Sequence, residues 1–153
     1  MSGPAEDMSQ KIFASFPHDA WEGVTLPPPS FVTKQTRTLA YEPRKLLRSA
    51  YPTPVEYANP AGALLGGYLS SLFDNTMGML GYAAAGRPII TLHLSTTFIR
   101  PVVPPEPIEI EARVVSAGRS VVTIEASAYN ANGKLIATAQ TVNQVVRQPA
   151  AES

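Results

Sequence analysis

Asp74 is the residue whose position most needs a chemical explanation. It is the one charged side chain in residues 63–86, a segment that is otherwise apolar, small or uncharged. An unpaired charge in such a segment is costly, so the carboxylate must face water, a partner or a functional cavity. Held in a cavity, it could act as a base or as a nucleophile. The alternative is structural: Asp74 caps a break in a helix or pairs with a nearby hydroxyl or Arg side chain.

A glycine-containing turn leads into the same segment. Asn59-Pro60-Ala61-Gly62 is followed by Gly66-Gly67. Pro60 disfavours helix at Asn59, and the Gly pair lets the backbone bend sharply into a helix start. The free N–H groups of a helix N-terminus could hold a carbonyl oxygen as it becomes negative. The alternative is an ordinary flexible turn.

Gly66 and Asp74 are eight residues apart, which is about 12 Å along a helix. The Gly66 amide and the Asp74 carboxylate of one chain therefore need not meet at the same reacting carbon. An active site shared between two subunits would remove that difficulty.

The elements that must position these residues follow from the hydrophobic pattern. Residues 63–86 are apolar or small all the way round, which is typical of a helix buried on every side. Strand-like alternation follows it, placing Thr91 and His93 on one strand face, and Asn132-Gly133 is a tight-turn signal. A long helix and consecutive strands without a β-α repeat predict an α+β fold. We expect an antiparallel meander curled around the helix, with strands at 89–99, 108–115, 120–129 and 134–146.

Two further segments precede the helix. Residues 33–57 favour extended structure, with a turn at Glu42-Pro43. In the first 30 residues, a short apolar pattern predicts one docking helix that ends before Pro27-Pro28-Pro29. The apolar residues of that pattern are Ile12, Phe13, Phe16 and Trp21.

Composition excludes several classes of function. The 153 residues carry 12 Lys plus Arg and 12 Asp plus Glu, and zero net charge gives no field for nucleic acid. Without cysteine and with two histidines, we expect no disulfide, no cysteine nucleophile and no metal site. The polar N-terminus is unlike a secretory signal, and Asp74 with its polar neighbours opposes a transmembrane helix. We therefore expect a cytoplasmic protein.

Taken together, Asn59, Gly62, Gly66, Gly67 and Asp74 form the pattern N-x-x-G-x-x-x-G-G-x-x-x-x-x-x-D. This pattern resembles the entry to the central helix of hotdog-fold acyl-CoA thioesterases. It is most like the PaaI-type branch, which includes phenylacetate-degradation thioesterases and the mammalian acyl-CoA thioesterase 13 type. The likeness covers roughly residues 36–145 and continues through Thr91, 97–101, Gly118-Arg119 and 132–137.

The resemblance implies roles for four catalytic residues. Asp74 corresponds to the catalytic carboxylate, serving as general base for water or as nucleophile on the thioester carbonyl. Gly66 resembles the residue whose backbone N–H polarises that carbonyl. Asn59 resembles the amide that positions the thioester or the attacking water from the facing subunit. Thr91 falls where a Ser or Thr hydroxyl helps to hold the water.

The resemblance also implies substrate contacts, with one departure. Gly67 and Leu65 flank Gly66 in the substrate-binding turn, and Arg119 and Ser120 fall where some relatives contact the CoA nucleotide. The position before the glycine pair is usually His in this branch, and here it is Leu65. That removes a side chain that can hydrogen-bond near the thioester, although a backbone oxyanion hole does not need it.

The sequence therefore predicts a lead-in at 1–30, one hotdog domain at 31–147 and a tail at 148–153. We expect a homodimer paired through strand edges, or a dimer of dimers, that hydrolyses an acyl-CoA to free acid and CoA. No metal or other cofactor is implied, and no nucleic-acid or membrane partner. Two alternatives stay open: a non-catalytic acyl-CoA binding protein, and a hotdog hydratase. Hydratases generally pair the Asp with a His five residues on, where this chain has Met79.

Overall fold

A long helix crosses one face of a six-stranded antiparallel sheet in the computed structural model, which describes residues 8–16 and 24–147. The helices are α1 (Ser9–Ala14), α2 (Pro29–Thr33) and α3 (Gly66–Ala85), with a short 3-10 turn at Val55–Tyr57. The strands are β1 (Arg37–Glu42), β2 (Leu46–Tyr51), β3 (Ile89–Phe98), β4 (Ile108–Ala117), β5 (Val121–Tyr129) and β6 (Leu135–Val145). The predicted α+β hotdog arrangement is confirmed.

The position of β3 differs from the predicted meander. The strand order is β1-β2-β4-β5-β6-β3, so β3 pairs with β6 and not with β4. The connection from β3 to β4 contains four prolines, at 101, 104, 105 and 107, which cannot donate to a strand ladder. A tight hairpin is therefore not available, and β4 enters the sheet between β2 and β5, away from β3. As a result β3 is an edge strand, and one side of its backbone pairs with no strand among the described residues.

The prediction that the helix is buried on every side is wrong. One face of α3 packs into the core, through Leu69, Leu72, Phe73, Thr76, Met77 and Leu80. Another face stays half-buried, through Ser71, Asp74, Asn75, Gly78 and Tyr82. Their spacing of three and four residues places these five on one side of the helix. Apart from Asp74, this face carries small or uncharged side chains, so the hydrophobic pattern did not distinguish it from the buried face.

The lead-in packs onto the domain through short helices. The buried apolar side chains of α1 are Ile12 and Phe13, and the Phe13 ring meets Phe31 of α2 edge-on at 5.1 Å between centroids. The single predicted helix ends at Ala14, and Trp21 lies outside the described residues. Pro29 begins α2, since proline is tolerated in the first turn of a helix. None of the helices in the described ranges is long and apolar enough to cross a bilayer.

Candidate active site

Asp74 meets Thr91 across the gap between α3 and β3. The Thr91 hydroxyl donates a hydrogen bond to Asp74 Oδ1 at 3.1 Å. Asp74 is half-buried and Thr91 is exposed, so the pair lies at the surface of this chain. Oδ2 of Asp74 has no hydrogen-bond partner among residues 8–16 and 24–147, so it can accept from water or substrate. The structure thus brings together two of the residues singled out from the sequence.

A β-bulge explains why Thr91 can reach the helix. Thr91 lies opposite Asn143 of β6, but His93 lies opposite Val142, so the ladder slips by one residue at Leu92. Because adjacent residues of β6 point to opposite faces, Thr91 and His93 also face opposite ways. The predicted shared face of Thr91 and His93 is therefore wrong. Simple alternation in the sequence cannot show a bulge.

Beyond the bulge, β3 continues alongside α3 in the opposite direction. The Ser70 hydroxyl donates to Thr96 Oγ1 at 2.9 Å. Further on, the ring of Phe98 covers Gly66, where an added Cβ would lie 3.0 Å from Phe98 Cζ. The N-terminal part of α3 thus contacts the C-terminal part of β3. Gly66 and Asp74 therefore lie towards opposite ends of β3.

The helix start presents free amides. Gly66 is the first residue of α3, and Leu65 precedes it with φ −57° and ψ 128° and makes no side-chain cap. The first intrahelical donors are the amides of Tyr68 and Leu69, which bond to the Leu65 carbonyl. Neither Gly66 N–H nor Gly67 N–H has a backbone acceptor among the described residues, as expected at a helix N-terminus. Two donors are therefore available for a developing oxyanion.

Asn59 shapes the turn before these amides. Its Oδ1 accepts hydrogen bonds from the backbone N–H groups of Ala61, at 2.9 Å, and Ala63, at 3.1 Å. Its own backbone N–H donates to the Ala63 carbonyl at 2.7 Å. The side-chain oxygen is thus committed to the loop, while the Nδ2 group has no partner within the described ranges. Asn59 can donate to a substrate oxygen only through that nitrogen.

The candidate residues fall into two separate cavities. Asn59 and Gly66 line a cavity of about 400 Å³ beside Phe98. Asp74 lines another, of about 520 Å³, between α3 and the lead-in. No lining residue is shared between them. One chain therefore holds the two halves of the predicted site apart, as the helical rise between Gly66 and Asp74 predicted.

A hydrogen-bonded network anchors the helix behind Asp74. Tyr51 and Thr76 are fully buried, with their hydroxyl oxygens 2.6 Å apart. Asn75 Nδ2 donates to the Tyr51 hydroxyl at 2.8 Å and to Thr36 Oγ1 at 3.1 Å. Burial raises the pKa of the Tyr51 hydroxyl above its usual range, although these hydrogen bonds oppose the effect. Sequence patterns missed this network, because its members come from three separate segments.

Arg119 lines a basic pocket at the far end of α3, and Ser120 contacts one of its arginines. The pocket has a volume of about 400 Å³ and is lined by the arginines Arg44, Arg87, Arg119 and Arg147, with no acidic side chain among its lining residues. Arg147 Nη2 donates to Ser120 Oγ at 2.7 Å. The sequence did not single out Arg44, which the turn between β1 and β2 brings to the pocket. Such a cluster suits a phosphate.

Arg100 and Met77 lie outside the basic pocket. Arg100 donates to the Leu135 carbonyl at 2.7 Å and borders the Gly66 cavity. Met77 is core, fully buried and 3.9 Å from Thr141 Oγ1. Met79 and Tyr82 do line the Asp74 cavity. No group of three or more His, Cys, Asp and Glu in the described part of the chain is arranged to hold a metal ion.

Comparison with known proteins decides the family. The model of the thioesterase superfamily matches residues 61–137, which include Gly62, Gly66, all of α3 and the bulged strand. The chain belongs to the thioesterase superfamily. No curated protein matches the sequence of this chain significantly.

Several solved structures share the fold of this chain. The PaaI protein of the Escherichia coli phenylacetic acid degradation operon is similar with a TM-score of 0.74 and 13% identity, over 79% of this chain and 86% of that one. A Haemophilus influenzae thioesterase has a TM-score of 0.71 and 16% identity, over 80% of this chain and 87% of that one. A Streptococcus mutans protein bound to acetyl CoA has a TM-score of 0.70 and 16% identity, over 85% of this chain and 98% of that one. At these identities the likeness establishes the hotdog fold alone.

Proposed function

We propose that this thioesterase-superfamily chain hydrolyses acyl-CoA, with Asp74 as the catalytic carboxylate. The observation that carries the proposal is the hydrogen bond from Thr91 to Asp74, whose carboxylate lines a cavity of about 520 Å³. A cavity of this size is typical of small-molecule sites. The hydroxyl orients one carboxylate oxygen and leaves the other for chemistry.

The reaction needs a base and an oxyanion site on either side of one carbonyl. Asp74 takes a proton from water as the water oxygen bonds to the thioester carbon. The carbonyl oxygen becomes negative and accepts hydrogen bonds from backbone amides at Gly66 and Gly67. When the C=O bond re-forms, the C–S bond breaks, and the sulfur takes the proton from Asp74 to give CoA thiol and free acid. A nucleophilic route, in which Asp74 first forms an anhydride, would use the same contacts.

The two halves can meet if β3 pairs with β3 of a second copy. The strand is an unpaired edge whose apolar side chains are exposed, Ile90 by 54% and Leu92 by 58%. Such edges are normally covered. Antiparallel pairing about a two-fold axis would place the Thr91 end of one strand beside the Phe98 end of the other. Gly66 of one subunit would then approach Asp74 of the partner subunit, so we propose a homodimeric site.

The basic pocket supports CoA as the carrier. Three of its arginines, Arg44, Arg87 and Arg119, lie with Arg147 around one opening and are not balanced by a carboxylate in its lining. CoA carries phosphates, and planar guanidinium groups bind phosphate well. Arg119 and Ser120 are the residues for which the family resemblance implied this contact. The acetyl CoA bound to the Streptococcus mutans protein is consistent with this choice.

The test is release of CoA thiol from a panel of acyl-CoAs by wild type, Asp74→Asn and Asp74→Ala. Asn keeps an oxygen that accepts from Thr91 but cannot take a proton, so we expect kcat to fall by about 100-fold or more. Glu125→Gln is the matched control, since it removes a charge from an exposed carboxylate on β5 and should leave kcat unchanged.

Two outcomes would contradict the proposal. Wild-type kcat in Asp74→Asn would remove Asp74 from catalysis. Tight acyl-CoA binding by wild type without any turnover would favour the binding-protein alternative. The hydratase alternative is disfavoured by the side chains present, since Met79 is buried and His93 faces away from Thr91.

A further inference from the structure

The cavity at Asp74 has two walls of different origin. One is the half-buried face of α3, where Asp74, Gly78 and Tyr82 line it. The other is the lead-in, whose lining residues include Phe16 and Leu26. Apart from Asp74 and Lys34, the lining is uncharged, and most of it is apolar or aromatic. The cavity thus continues from the proposed catalytic carboxylate into an apolar space.

The lead-in wall is held in place by specific contacts. The Phe16 ring lies 5.8 Å from the Tyr82 ring, and the Ser30 hydroxyl donates to Asn75 Oδ1 at 3.3 Å. Phe31 is buried against Phe13. Both walls are therefore tied to each other, and Asn75 joins the lead-in to the buried network next to Asp74.

Gly78 leaves space in the middle of the helix wall. A Cβ added there would meet no atom within 4 Å. Glycine weakens a helix interior relative to other residues, so its presence at this position has a cost that packing does not explain. The missing side chain enlarges the cavity one helical turn beyond Asp74.

We infer that this cavity holds the acyl group of the substrate, and that Gly78 and the lead-in set which acyl groups fit. The inference rests on the proposed function and names its substrate class: thioesters of uncharged, apolar acyl groups larger than acetyl. A carbonyl held at Asp74 would direct its acyl chain along the helix face towards Gly78 and Tyr82.

The test compares octanoyl-CoA with acetyl-CoA in wild type, Gly78→Leu and Leu26→Ala. Leu at position 78 enters the open space and favours helix more than Gly. We expect it to lower the octanoyl-to-acetyl ratio of kcat/KM by about tenfold or more. Leu26→Ala removes a side chain from the opposite wall and should raise that ratio. Val32→Leu, on the exposed side of α2 away from the cavity, should leave it unchanged.

Calorimetric Kd values for both acyl-CoAs separate this inference from the proposed function. If neither wild type nor any variant shows turnover but Gly78→Leu selectively weakens octanoyl-CoA binding, the proposed hydrolysis is wrong and the assignment of the cavity to the acyl group is supported. If Gly78→Leu weakens the binding of acetyl-CoA and octanoyl-CoA equally, the pantetheine arm common to both occupies the space, and the inference is overturned. Unchanged ratios in both Gly78→Leu and Leu26→Ala would overturn it as well.

Discussion

Replacing Gly66 by proline removes one backbone hydrogen-bond donor and is expected to leave the helix start in place. Gly66 is the first residue of α3, the helical position where proline is best tolerated. Leu65 before it already has the extended backbone, φ −57° and ψ 128°, that a residue preceding proline adopts. The Gly66 N–H bonds to no backbone acceptor within the described ranges, so no internal bond is lost. Gly66→Pro therefore tests the proposed oxyanion donor directly.

Gly66→Ala is the matched control because both variants add a Cβ. That atom would lie 3.0 Å from Phe98 Cζ, so the ring must move by a few tenths of an ångström. Phe98 is 53% exposed, and its ring has room to turn. We expect Gly66→Ala to keep kcat within about threefold of wild type. Loss of one oxyanion donor costs about 100- to 1,000-fold in kcat, or roughly 2.7–4 kcal/mol, so Gly66→Pro should fall by about that factor.

The assay is thiol release under saturating acyl-CoA, with thermal unfolding of each variant measured beside it. Equal unfolding midpoints and a large difference in kcat between Gly66→Pro and Gly66→Ala would support the amide as a donor to the transition state. Equal kcat in the two variants would refute the reasoning. A rise in KM alone would move the Gly66 amide from catalysis to ground-state binding.

The remaining predictions concern Thr91 and Tyr51. Thr91→Val removes the hydrogen bond to Asp74 and should lower kcat about five- to tenfold, whereas Thr91→Ser should retain most activity; equal kcat values would argue against orientation of Asp74 by this hydroxyl. Tyr51→Phe leaves the partners Thr76 and Asn75 short of a bond, and should lower the free energy of unfolding in urea by about 1–2 kcal/mol. Because the folded-state pKa of Tyr51 is raised, its contribution to stability is complete below about pH 10 and is lost as the pH rises through the folded pKa. The urea midpoint should therefore fall less between about pH 9 and about pH 11 in Tyr51→Phe than in wild type, and an equal fall would contradict the assigned burial.

The order of elements was predictable because each local signal agreed with the fold. Alternating apolar residues marked β4 to β6, and Asn132-Gly133 marked the turn between β5 and β6. The uncharged run around Asp74 marked α3. These signals depend only on neighbouring residues in the chain, so the pattern of one sequence contains them.

Features set by contacts between distant segments were not predictable. The bulge at Leu92 depends on pairing with β6, and it reverses the face on which Thr91 lies. The wall opposite Gly78 is made by the lead-in, whose short helices carry no long periodic pattern. The family resemblance pointed to Asp74, Thr91, Asn59 and Gly66. It did not show that Asn59 and Gly66 line one cavity and Asp74 another.

The shared site is the central claim, and mixing two inactive variants tests it most directly. Asp74→Asn chains and Gly66→Pro chains are unfolded together and refolded in equal amounts. Random assortment gives about half heterodimers, and each would carry one site with both lesions and one intact site. A site shared between two subunits predicts recovery of about a quarter of the wild-type activity. If each site lay within a single chain, every site would keep one lesion, and activity no higher than that of the separate variants would rule out the shared site.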